Sequence, residues 1–172
     1  MTAQGWLSGL LLLTLLSYAV VSDVRHHRIP NLLVLTGLAL GLTGQLFMGG
    51  LGGLGQGMLG ALIGFGLFLL LYAAGGMAAG DVKLMAMVGA FLTPQQALAA
   101  TAASLMAGGL CGLALVLWHG QFRQTLSRYG VMLRSHSYLA PGAGEVAGQP
   151  FPYAIAILLG TAASGLWFHV NS

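Results

Sequence analysis

The chain has 172 residues, of which 57% are hydrophobic and 5% charged, where a soluble domain carries roughly 25% charged residues. So few charges cannot solvate the surface of a soluble fold of this size, which excludes a cytosolic enzyme, a nucleic-acid-binding protein and a disordered chain. The net charge of +3 comes from a scarcity of acids, and the single cysteine, Cys111, permits neither an intrachain disulfide nor a multi-cysteine zinc site.

What remains is an all-α, polytopic membrane protein, a single transmembrane domain over residues 1–172. A bilayer core takes about 20 apolar residues of helix, and the chain reads as about six apolar runs, one of them short. The first, about 5–22, is ended by Asp23 and the polar string Arg25, His26, His27, Arg28. Its positive charge follows the apolar run instead of preceding it, which reads as a span and not as a cleaved signal. The second, about 30–48, is followed by the glycine-rich turn GGLGGLGQG. The third covers about 54–75 and gives way to the break GGMAAGDVK. The fourth, about 81–92, is short and stops at Thr93-Pro94. The fifth runs over about 96–118, with Cys111 as an apolar packing residue, and the sixth over about 151–169. The 28 glycines predict a closely packed bundle, because small residues let membrane helices approach.

Orientation follows from the basic residues. Lys83 and the arginines 25, 28, 123, 128 and 134 all fall in, or at the edge of, the loops after spans one, three and five. The positive-inside rule then puts the N-terminus and the C-terminus outside. After span five, Phe122, Leu126, Tyr129 and Leu133 share one helical face, so about 120–136 reads as a cytoplasmic amphipathic segment on the membrane surface. The segment PGAGEVAGQP, with Glu145, reads as a linker.

Only two aspartates occur, Asp23 and Asp81, and this topology puts both at the inner face. Acids at membrane depth are costly and mark function. Two carboxylates brought together do not both ionise readily, so one keeps a proton, and such a pair can hydrolyse a peptide by joint base and acid catalysis. The plain structural alternative is that Asp23 pairs with Arg25 or Arg28, while Asp81 pairs with Lys83 or caps the following helix. Spacing alone leaves both open.

The flanking residues add to this. Asp23-Val-Arg-His-His-Arg-Ile-Pro-Asn31 and Gly80-Asp81-Val-Lys-Leu84 resemble the signatures of the type IV prepilin peptidases, polytopic aspartic proteases with a Gly-x-Gly-Asp motif. Pro150-Phe-Pro-Tyr-Ala-Ile-Ala156 is similar to that family's proline-bearing final helix. The resemblance implies Asp23 and Asp81 as the catalytic pair, supported by Gly80, Lys83, Ile29, Pro30, Asn31 and Pro152. It implies a bacterial inner-membrane enzyme that removes the short leader of a prepilin or pseudopilin at the cytoplasmic face. The loop between spans one and two is only Asp23 to Ile29, so the chain looks like the short, peptidase-only members of tight-adherence (Flp-type) pilus systems. By that resemblance it needs no cofactor, no metal and no methyl donor. Its partners are the substrate helix and the lipid bilayer, with no nucleic acid.

Ala78 stands where the family's first motif glycine stands. Glycine next to such an aspartate permits a positive φ or a close backbone approach, and alanine fits wherever φ is negative. Lys83 either tunes Asp81 or anchors its span by snorkelling. His26 and His27 are adjacent and point to different helix faces, against a metal pair. Serines 17, 22 and 104 lack a matched base. Two further functions use the same features: a catalytically silent pilus-assembly scaffold, suggested by Ala78, and a small proton- or ion-coupled transporter using the two aspartates. Oligomeric state is not readable from the sequence.

Overall fold

A computed structural model describes residues 3–120, 127, 131–132 and 152–170. Among these the main elements are helices: α1 (Ala3–His26), α2 (Asn31–Ala73), α3 (Ala79–Ala90), α4 (Pro94–Trp118) and α5 (Ala154–Val170). Three of them, over Gly5–His26, Asn31–Ala73 and Pro94–Trp118, are long and apolar enough to cross a membrane, and α5 is a shorter apolar helix.

The six expected runs appear as five helices because residues 30–48 and 54–75 are joined. The 43 residues of α2 stay helical on both sides of one break, at Gly50 (φ 58°, ψ −147°). A straight helix of that length would measure about 65 Å, twice a bilayer core of about 30 Å. The chain instead doubles back. A Cβ on Gly57 would lie 3.3 Å from Leu42 Cδ2 and 3.1 Å from Gln45 Cγ, although 15 residues of straight helix span about 22 Å. The glycine run expected as a turn is therefore helical except at Gly50. That residue takes a backbone conformation outside the reach of a side chain, and its neighbours carry no proline to stop the helix.

α3 is only 12 residues long, about 18 Å, and it lies against both arms of α2. A Cβ on Gly41 would sit 2.8 Å from Phe91 Cδ2 and 3.0 Å from the Ala90 carbonyl carbon, and a Cβ on Gly57 would sit 3.0 Å from Ala90 O. On the second arm Gly60 meets Gly89 backbone to backbone. Gln45 donates its Nε2 hydrogen to Phe91 O at 3.0 Å, satisfying a carbonyl that the end of α3 leaves open. From Asp81 to Ala90 every α3 residue except Lys83 is buried. The core joins these side chains to Leu12, Leu16 and Ala19 of α1, Val34 and Phe68 of α2, Ala100 of α4 and Ile157 of α5. Apolar side chains that face away from it, such as Leu32, Phe47 and Leu51, suit a lipid surround, where helices keep every backbone bond internal.

The chain divides into two compact units, Met1–Ala107 with Pro152–Ser172, and Gly108–Phe151. The first holds α1, α2, α3, α5 and the start of α4. In the second, α4 continues to Trp118, and Gly120 (φ 66°) closes it with its N–H on Leu117 O at 3.0 Å. Cys111, expected to be buried, is half-buried. The expected amphipathic segment falls in this unit, and its residues Phe122, Leu126, Tyr129 and Leu133, with the arginines 123, 128 and 134 and Glu145, lie outside the described residues.

Candidate active site

α1 runs one turn further than the expected 5–22, so Asp23 is helical and not a loop residue. The buried positions of α1 are Leu12, Leu16, Ala19 and Asp23, spaced four, three and four residues apart along one face. Asp23 thus continues the apolar stripe that packs on the core and is 8% exposed. Arg25 and His26 occupy the last turn, where cations complement the helix dipole. His27 ends the helix in the left-handed region (φ 48°), and its N–H donates to Asp23 O at 2.8 Å. Ser22 Oγ donates to Arg28 O at 2.9 Å, folding the short loop back on α1.

Asp81 is the third residue of α3 and is 5% exposed. The residue before the helix, Ala78, is extended (φ −86°, ψ 151°) and has no side chain with which to cap it. Asp81 supplies the cap from inside: the Ala78 N–H donates to Asp81 Oδ2 at 3.3 Å, the reciprocal half of a capping box. The negative φ explains why alanine fits in place of the motif glycine. Left-handed backbone is taken upstream instead, by Gly75 (φ 77°), just after α2. Gly80 does not take a positive φ, and a Cβ there would meet Ile29 at 3.6 Å, an ordinary contact. Neither a left-handed conformation nor a tight approach therefore accounts for that glycine, contrary to expectation.

The two carboxylates are near enough to act on each other electrostatically, although they come from distant parts of the chain. Each has one oxygen engaged by a backbone amide at the start of a helix. For Asp81 the donor is Ala78. For Asp23 it is Ala154, the first residue of α5, whose N–H reaches Asp23 Oδ2 at 3.3 Å. Thr161 Oγ1 is the one fully enclosed side-chain polar atom without a hydrogen bond among the described residues. The hydrogen bonds to Asp23 and Asp81 among the described residues are both made to Oδ2.

The other expected site residues lie at the starts of α2, α3 and α5 and in the loop before α2. Pro30 (φ −62°, ψ 128°) is the residue before α2, and Asn31 is its first helical residue. Lys83 points outward and donates Nζ to Asn31 Oδ1 at 3.0 Å, which ties the start of α3 to the start of α2. Its hydrogen bond is thus to an amide oxygen. Ile29 packs against the core beside Gly80. Pro152 lies two residues before α5 and accepts the Ile155 N–H at 3.2 Å.

Sequence reasoning missed Tyr153 and Ala154. Tyr153 donates its hydroxyl to Ser104 O at 3.3 Å and packs edge-on to Phe68, with ring centroids 5.9 Å apart. The available signal was the proline before an apolar run, which marks a helix start whose amides need acceptors. Among the described residues no three His, Cys, Asp or Glu side chains gather into a metal site.

A family model described as the type IV leader peptidase family matches residues 10–113. The match takes in Asp23, Ile29, Pro30, Asn31, Gly80, Asp81 and Lys83 and stops before Pro152. Neither a curated protein nor a solved structure matches the chain.

Proposed function

We propose, from the premise that this chain belongs to the type IV leader peptidase family, that Asp23 and Asp81 are the catalytic pair of this prepilin leader peptidase. The family makes the chain an aspartic endopeptidase that processes prepilin leaders. The observation that carries the assignment is the burial of both carboxylates at helix ends, each with one oxygen held by a helix-start amide. These are the only aspartates in the chain.

In the reaction one carboxylate is ionised and the other protonated. The ionised group takes a proton from water as the water oxygen bonds to the scissile carbonyl carbon. The protonated group gives its proton to the carbonyl oxygen. As the tetrahedral adduct collapses, the carboxyl that took the water proton gives it to the departing nitrogen, the other carboxylate takes back a hydroxyl proton, and the C–N bond breaks. The products are a leader with a new carboxyl terminus and a pilin with a new amino terminus. Holding both groups on helix ends orients them before substrate arrives, which is where much of the rate gain of such a site originates.

The placement in the membrane follows from charge. Counting the two arms of α2 separately and α3 as a short span gives six crossings. The basic residues then lie on the cytoplasmic side with the aspartates, and both termini lie outside. Cleavage falls at the cytoplasmic face of the bacterial inner membrane, where a short basic leader enters the bilayer. The substrates are prepilins or pseudopilins of the tight-adherence type. A silent scaffold, the reading that Ala78 suggested, loses its motive because Ala78 has a negative φ and donates its amide to Asp81.

The test is co-expression with a candidate prepilin and detection of leader removal as a band shift. Wild type cleaves; Asp23→Asn and Asp81→Asn insert at wild-type level and leave the prepilin intact. Normal cleavage by either variant rejects the assignment.

A further inference from the structure

We propose that the backbone amide of Ala154 is a positioning group for the reaction, fixing Asp23 by its Oδ2 and leaving Oδ1 as the working oxygen. The proposal rests on the reading of Asp23 as catalytic. Its physical basis begins at the start of α5. The first amides of a helix have no partner within the helix, and Ala154 is fully buried, so water does not serve its N–H. A buried donor left unsatisfied is costly. The residue before the helix, Tyr153, has no short polar side chain with which to cap it. The acceptor comes from α1, where Asp23 Oδ2 lies 3.3 Å from the Ala154 nitrogen.

The donor is itself held firmly. Tyr153 fixes the start of α5 by its hydroxyl on Ser104 O and its ring against Phe68. Gly160, two turns along, packs backbone to backbone against Ser104. At the far ends of the same two helices Trp6 meets His169 edge to face, with centroids 5.2 Å apart. α1 and α5 are thus paired antiparallel and tied at both ends, and the Asp23–Ala154 contact is the tie nearest the chemistry. A carboxylate on a helix end has two free side-chain torsions; one hydrogen bond to a rigid amide removes most of that freedom. The contribution is to geometry at the reacting atoms, so it appears in kcat and not in KM.

Two measurements test this. Ala154→Pro removes the N–H at the first helical position, where proline is well tolerated, and Ala154→Gly keeps it. In proteoliposomes with purified prepilin, Ala154→Pro is expected to lower kcat about 10- to 100-fold with KM within about twofold, and Ala154→Gly to restore cleavage. Wild-type kcat in folded Ala154→Pro overturns the proposal. Because that variant can fail to fold, amide hydrogen exchange at Ala154 is measured independently. Asp23→Ala is expected to accelerate it at least about tenfold, while Asp81→Asn leaves it near wild type. Unchanged exchange in Asp23→Ala overturns the proposal whatever the kinetics. If Asp23→Asn cleaves normally, the catalytic reading fails and the exchange result still reports the contact. If Asp23→Asn is silent and Ala154→Pro cleaves at the wild-type rate, only the positioning role falls.

Discussion

His27 ends α1 with φ 48°, the one non-glycine positive φ among the described residues. A β-carbon disfavours that backbone by about 1–2 kcal/mol, and glycine adopts it freely. His27→Gly is therefore expected to stabilise the protein by about 1 kcal/mol, read as a higher melting temperature in detergent. An unchanged or lower value counters it. The strain sits four residues from Asp23, at the end of the helix that carries it. At this scale the family was readable, because the residues flanking the two aspartates form two recognisable motifs within the matched residues. The acceptor geometry of the aspartates was not. That Ala78 and Ala154 donate to them depends on amides, which the identity of an alanine does not advertise. Lys83 shows the same limit: its bond to Asn31 crosses between helices, and no local pattern announces it.

The elements owe their arrangement to glycines that face other backbones. A Cβ on Gly60 would meet Gly89 O and lie 2.7 Å from Leu92 O. These are backbone atoms that cannot swing aside. Gly60→Ala is expected to cost about 1–3 kcal/mol, measured by thermal unfolding in detergent, whereas Gly66→Ala, where a Cβ meets nothing within 4 Å, is expected to be neutral or stabilising. Equal effects would contradict this packing. α3 carries Asp81, so loosening it between the arms of α2 also loosens the site. The apolar runs revealed most of the helices, and the charge-free glycine stretch revealed where α2 turns. It did not reveal that one residue, Gly50, suffices for the turn. Glycine at several nearby positions is compatible with helix, and residue type alone does not single out the one that breaks it. The extension of α1 through Asp23 was likewise hidden, because a polar string resembles a loop until the four-three-four spacing of its buried face is seen.

Across the whole molecule, the two aspartates and the Ala154 amide lie at the end of α1 and the starts of α3 and α5. The distribution of Lys and Arg predicts that those ends share one side of the membrane. The sequence could not say whether the two aspartates act as one unit, which depends on helices meeting across the chain. The most direct test is single-turnover cleavage of purified prepilin by Asp23→Asn, Asp81→Asn and the double variant in proteoliposomes. Groups that act together are strongly non-additive. The account predicts that each single variant loses activity by at least about 10⁴-fold and that the double variant is no slower than either. Substantial cleavage by one single variant, or losses that multiply in the double variant, would contradict a shared aspartate pair.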